Sequence, residues 1–290
     1  MNENIILVVD SASSLPLDFI KNKNVIGLGV NCIYNNTEIV DDFGENFDIN
    51  SFYNALENGV NTKTSQINSF VFEELFTPLV KEKKSIIYIG LSSGLSGTIN
   101  NAMIAVHNLK EKFDEVNIHV IDSKSVSLGE GILAYLTYEM IKDNKELEEI
   151  LEFINDLKDR IYGYFTVNDL KYLKQGGRIS TTKALVGSML GIKPIIYVDK
   201  EGKLELKDKA RGTKKAISYL LSEFKDKCLE DEVIVGITYG KNEKDKDYLV
   251  SEIQKFDNVK TIITNNEGPV ISTHSGPELI SLFFVGKNKK

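Results

Sequence analysis

Apolar and polar positions along this chain follow two different patterns. In the first half, short runs rich in β-branched residues at Ile5–Asp10, 25–34, 85–91 and 116–122 are separated by longer stretches with apolar residues at helical spacing, such as 99–113. That alternation predicts βαβ units and a parallel sheet. Asp48 and Ser69 stand where two intervening helices need N-caps, and Pro16 suits the first position of another. Residues 142–160 place Leu147, Ile150, Leu151, Ile154 and Leu157 at i, i+3, i+4 spacing, which predicts one amphipathic helix joining two domains. Beyond residue 161 the runs 194–198 and 203–209 flank the turn Asp199-Lys200-Glu201-Gly202 and predict an antiparallel hairpin. A helix at Thr213–Lys227, a strand at Val233–Tyr239, a helix near 244–255 and a strand at 259–263 follow. The expected fold is α/β in two domains: residues 1–160 form an N-terminal parallel-sheet α/β domain, and residues 161–290 form a smaller C-terminal α+β domain with antiparallel strands.

Composition narrows the function. A chain of 290 residues with 42% hydrophobic residues can bury the cores of two domains. Its formal net charge of −7 argues against nucleic acid as a partner, because phosphate binding needs a basic surface. Cys32 and Cys228 lack C-x-x-C spacing, so neither a disulfide framework nor a zinc site is expected. The start Met1-Asn2-Glu3-Asn4 has no basic residue and the apolar run after it is too short for a signal segment or membrane span, which predicts a cytoplasmic protein. Gly129-Glu130-Gly131-Ile132-Leu133-Ala134 fits the G-x-G-x-x-A form of a dinucleotide fingerprint. It lies too far beyond the preceding strand, however, and Glu130 would face the pyrophosphate, so close helix packing is the better reading and no cofactor is expected. Convergent metal ligands are absent from the sequence pattern, so no metal is expected either.

Four polar segments stand out against the apolar background: Thr64-Ser65-Gln66, Ser92-Ser93-Gly94-Leu95-Ser96-Gly97-Thr98, Gly176-Gly177-Arg178, and Thr273-His274-Ser275-Gly276-Pro277. The second follows a strand and precedes a helix, where free N–H groups and hydroxyls face outward, although Ser or Thr there can also simply cap the helix. It joins 10–14 and 122–127 as polar loops at the carboxyl edge of the expected sheet, the edge at which such sheets collect ligands. Thr64-Ser65-Gln66 lies between expected helices, and His274 lies in an expected polar turn before the apolar run 279–285. The two glycines before Arg178 allow a turn that presents the guanidinium to a carboxylate. Lys171, Lys174, Lys183 and Lys193 make its surroundings a basic island. If the segments converge, they hold an anion at the mouth of an oily pocket. An alternative from another class is an acyl-ester hydrolase using Ser96, His274 and Asp122, but Thr98 stands where the G-x-S-x-G elbow needs glycine.

The segments together resemble the DegV-like fatty-acid-binding proteins, acyl-carrier partners of bacterial fatty-acid kinase. The likeness runs end to end through Val9-Asp10-Ser11-Ala12-Ser13, Thr64-Ser65-Gln66, Ser93 to Thr98, Asp122-Ser123, Ser127-Leu128-Gly129-Glu130-Gly131, Asp169 to Ile179, Ile192-Lys193-Pro194 and His274-Ser275-Gly276-Pro277. It implies a carrier without catalytic residues that buries a long-chain fatty acid. Residues matching Thr64, Ser96, Arg178 and His274 would hold the carboxylate, supported by Ser65, Gly97, Thr98 and Ser275. The resemblance further implies presentation of the acid to a separate kinase that makes the acyl phosphate for phospholipid synthesis, with Arg211 helping the kinase dock and ligand exchange bringing transient contact with a membrane surface. Ile67 departs from the proline usual after Thr-Ser-Gln, which predicts a less constrained backbone there.

Overall fold

The computed structural model describes residues 2–179 and 191–288. The first part of the chain runs β1 (Ile5–Asp10), α1 (Leu17–Ile20), β2 (Val25–Leu28), β3 (Asn31–Tyr34), β4 (Thr37–Val40), α2 (Ile49–Glu57), β5 (Thr62–Ser65), α3 (Ser69–Lys81), β6 (Ser85–Gly90), α4 (Thr98–Lys112), β7 (Ile118–Asp122), α5 (Leu128–Lys142) and α6 (Leu147–Leu157). The remainder runs β8 (Ile161–Thr166), α7 (Lys171–Gln175), β9 (Ile192–Val198), β10 (Leu204–Arg211), α8 (Thr213–Lys227), β11 (Val233–Tyr239), α9 (Glu243–Ile253), β12 (Val259–Asn266), α10 (Pro269–Ser275) and β13 (Ile280–Val285).

The expected parallel sheet is present with order β2-β1-β6-β7. Every residue of β1 is buried, because helices cover both faces, and this explains its unbroken apolar run. On one face Phe72, Phe76, Ala102, Ala105 and Leu109 of α3 and α4 pack on Ile6, Val8, Ile86 and Tyr88. On the other lies α5. A second sheet, β10-β9-β8-β13-β11-β12, is antiparallel except between β11 and β12 and includes the predicted 194–209 hairpin. Helix α5 packs against β1 and β6 of the first sheet and β8, β11 and β13 of the second, so it is apolar nearly all round. Its glycines serve this close packing: a Cβ on Gly131 would come 2.8 Å from the Ser13 carbonyl, and one on Gly129 would meet the Ser125 hydroxyl and Phe283. Both cysteines are free and buried, and none of the described helices is long and apolar enough to cross a membrane.

Several elements differ from the sequence expectation. The run 25–34 is two strands: β2 joins the parallel sheet, while β3 turns away after Gly29-Val30 into a three-stranded antiparallel sheet, β4-β3-β5. At Gly29 a side chain would strike Val40 and the Asp41 carbonyl, so the crossing admits only glycine. Residues 142–160 are not one helix. Helix α5 ends at Lys142, the chain turns through Asn144 in the left-handed region (φ 58°), and α6 carries the predicted amphipathic stripe, with Ile150, Ile154 and Leu157 buried. Thr64 and Ser65 lie in a strand rather than between helix ends, because Cys32 of β3 pairs with Thr64 and draws the segment into the small sheet. Asp48 caps α2 as expected, whereas α3 is capped by Asn68, one residue before Ser69, and Pro16 precedes the first helical residue of α1.

Substituting valine for Gly131 should force α5 off the Ser13 loop and destabilise the protein by about 1–3 kcal/mol, read as a lower urea midpoint at unchanged slope. An unaltered midpoint would contradict this packing role.

Candidate ligand-binding site

The loops after β1, β6 and β7 all leave the carboxyl edge of the parallel sheet, and there they meet the inner face of the second sheet. Between them is a cavity of about 330 Å³. Its apolar wall is formed by Val30, Leu91, Leu95, Val126, Leu173 and Leu204, with Phe165 of β8, Phe283 of β13 and Leu279 just before it. Helix α10 runs beside it, presenting Val270 and His274, and Ile271 and Ser275, at i, i+4 spacing.

Thr64, Ser65, Gln66, Ser96, Thr98, Arg178, His274 and Ser275 all line this cavity. Thr64, Arg178 and His274 also border a second cleft of about 680 Å³ that reaches exposed residues such as Lys63, Lys171 and Gln175, so they stand between the apolar interior and solvent. Thr64 Oγ1 and His274 Nε2 are 2.9 Å apart, as are Ser96 Oγ and Thr98 Oγ1. Arg178 Nε donates to the Leu95 carbonyl at 3.2 Å and Nη1 donates to the Gly176 carbonyl. No carboxylate among the described residues lies within ion-pair range of the guanidinium, and burial lowers its affinity for a proton. Burial, followed by the neighbouring Arg178 charge, pulls the His274 pKa from 6.5 down to about 4. The imidazole is therefore neutral at physiological pH.

His274 is not in the flexible turn expected from sequence. It sits in α10, where Pro269 starts the helix and Gly276, at φ 83°, ends it. Gly176 permits this placement, since a Cβ there would lie 2.2 Å from His274 Nδ1. Gly97 does not line the cavity; it lets the Gln66 side chain approach, which a Cβ would meet at 2.6 Å. Asn101 Nδ2 donates to the Ile67 carbonyl at 2.8 Å, so the segment is held without the usual proline. Arg211 ends β10 opposite Ile192 and lines none of these cavities, and Lys183 of the basic island lies outside the described residues.

Sequence reading missed a buried polar group in the cavity wall. Glu267, in the link between β12 and α10, accepts from Ser127 Oγ at 2.8 Å, from Thr238 Oγ1 at 2.6 Å and from Ser14 Oγ. Its burial raises the carboxyl pKa while the three hydroxyls act in the opposite direction. Asp10 also lines the cavity, and it accepts from Tyr88 Oη at 2.8 Å and from the Ala12 and Leu91 N–H groups. The one available signal was Ser281, which stands between Leu279 and Phe283 in the row that faces the cavity.

The profile of a family described as uncharacterised DegV proteins matches residues 4–287. The chain belongs to the DegV family. A DegV domain-containing protein of Clostridium perfringens is 37% identical over 289 residues, 99% of each chain. Among solved structures, a fatty-acid-binding DegV family protein from Thermus thermophilus superposes with a TM-score of 0.88 at 25% identity, covering 98% of this chain and 100% of its own. DegV of Bacillus subtilis, a fatty acid binding protein, gives 0.84 at 26% identity over 98% and 99%. In this DegV chain the hydrolase alternative finds no support. Ser96 is bonded to Thr98, His274 Nε2 to Thr64, and Asp122 accepts from Ser93 and Lys124, while His274 Nδ1 has no hydrogen-bond partner among the described residues.

The depressed His274 pKa carries a defined sign. The unfolded chain takes up a proton near pH 6.5 and the folded chain does not until about pH 4, so folding loses stability as pH falls through that window. Relative to a His274→Asn variant, wild-type unfolding free energy should drop by about 3 kcal/mol between pH 7 and pH 4. Parallel curves for the two proteins would show that the imidazole titrates normally.

Proposed function

We propose that this protein binds a long-chain fatty acid in the cavity, its carboxylate held by Thr64, Ser96, Arg178 and His274 and supported by Ser65, Thr98 and Ser275. One observation carries this reading: a guanidinium with only carbonyl partners among the described residues stands with hydroxyls and a neutral imidazole at the boundary between an apolar cavity and a solvent-reaching cleft. A desolvated positive charge in that position favours an anionic headgroup. The tail supplies the affinity: at about 0.8 kcal/mol per buried methylene, roughly fifteen methylenes contribute about 12 kcal/mol before ordering costs. The headgroup contacts contribute only about 1.5–3 kcal/mol each, and they fix which end faces outward.

That polarity suits presentation. A carboxylate beside the outer cleft is within reach of a separate fatty-acid kinase, which would form the acyl phosphate while this chain does no chemistry. Arg211, away from the cavity, is a docking residue for that kinase, and loading occurs by transient contact with a membrane surface. The cytoplasm is where the kinase and its nucleotide would be met.

Mass spectrometry of lipid extracted from the native protein should find fatty acid near one equivalent. Arg178→Ala and His274→Ala should weaken retention of a C16 acid by about tenfold or more, and retention of the matched alcohol by much less. Equal losses for acid and alcohol would reject the carboxylate assignment. With a fatty-acid kinase, Arg211→Ala should lower acyl-phosphate formation at unchanged fatty-acid affinity; wild-type turnover in that variant would remove Arg211 from the docking surface.

A further inference from the structure

If the cavity holds a fatty acid, its wall carries a second polar group for which a plain hydrocarbon tail has no use. Ser127, Glu267 and Ser281, at most 2% exposed, line the cavity among apolar neighbours. Their hydrogens are committed to one another. Ser127 and Thr238 donate to Glu267 Oε2 and Ser14 donates to Oε1. Ser281 Oγ accepts from the Thr238 N–H at 3.1 Å and donates to the Thr238 carbonyl at 3.2 Å. In the Ser127–Thr238 and Thr238–Ser281 hydroxyl pairs either oxygen can be the donor. With Glu267 ionised, as its three hydroxyl donors favour, every assignment spends all four hydroxyl protons inside the cluster and leaves Ser127 Oγ and Glu267 Oε1 with acceptor capacity. Joining Ser14 and Ser127 to Thr238 across the two sheets would not require this group to face the cavity.

Its position along the tail follows from α10. Glu267 precedes the helix and His274 lies seven residues later, and both line the cavity. The helical part, Pro269 to His274, rises about 7.5 Å at 1.5 Å per residue, and the link before it brings the separation along the wall to about 10 Å or a little more. An extended acyl chain advances about 1.25 Å per carbon, given C–C bonds near 1.5 Å. The acceptors therefore lie against a carbon roughly eight to ten positions from the carboxyl.

We propose that the site recognises mid-chain hydroxylated fatty acids, with Ser127 and Glu267 accepting the hydroxyl proton and Ser281 completing the seat. A hydroxyl brings the donor that the wall lacks. A keto group at the same carbon brings only acceptors and would face the Glu267 carboxylate with no partner. This deepens the fatty-acid reading and depends on it.

The test is competitive binding to the full chain of octadecanoic, 10-hydroxyoctadecanoic, 10-oxooctadecanoic and 2-hydroxyoctadecanoic acids. The 10-hydroxy acid should bind about tenfold or more tightly than the 10-oxo acid and more tightly than the 2-hydroxy acid. The 10-hydroxy to 10-oxo ratio should fall about fivefold or more in Ser127→Ala, and in Ser281→Ala, each confirmed as folded by its thermal melt. Equal affinity for the 10-hydroxy and 10-oxo acids, or a ratio untouched by both substitutions, overturns the proposal. Failure of octadecanoic acid itself to bind overturns the fatty-acid reading and this proposal with it.

Discussion

The polar end of the cavity depends on one close approach: the His274 ring lying against the backbone at Gly176. Any side chain at Gly176 would occupy the space of Nδ1, so glycine lets α10 and the end of α7 come together. That contact sets the imidazole beside Arg178 and within hydrogen-bond distance of Thr64. Burial and the adjacent guanidinium then keep the ring neutral, leaving Arg178 as the cationic member of the group that faces the cavity. One positive charge with neutral hydrogen-bonding neighbours suits the single carboxylate we propose there; a charged imidazole in addition would have favoured a more highly charged anion.

The architecture supplies the other half of the design. Parallel strands deliver three polar loops to one edge, as topology requires, and the second sheet closes that edge with aromatic and aliphatic side chains. Helix α5 fits between the sheets because Gly129 and Gly131 remove the side chains that would hold them apart. The Glu267 cluster bonds the Ser14 and Ser127 loops to Thr238 of β11, fastening both sheets at the far end of α10. The same short helix thus has the His274 imidazole near one end and, just before the other, the fastening carboxylate.

Sequence carried much of this and lost specific parts. Period and strand-to-loop order were enough to find the parallel sheet, the 194–209 hairpin and the loops at the carboxyl edge, because buried strands and helices have strong periodic signals. The break within 25–34 was hidden because Gly29 sits inside a continuous run, and its reason is a steric contact with Val40, distant from any local preference. Thr64 reads as a helix-flanking residue until Cys32 is known to pair with it. Ser96, Arg178 and His274 were legible through the glycines and hydroxyls beside them, although His274 lies in a helix and not in the expected turn. Glu267 was not, since a lone glutamate among Asn266 and Gly268 looks like solvated loop, and its three hydroxyl donors come from three separate stretches of chain.

The most direct test of the central claim is a crystal structure of the protein carrying its fatty acid. The carboxylate oxygens should lie within hydrogen-bond distance of Thr64 Oγ1 and Ser96 Oγ, with the Arg178 guanidinium facing them and the tail running along α10 toward Glu267. A carboxylate at the Glu267 end, or a tail lying outside the cavity with Arg178 facing no anion, would contradict it.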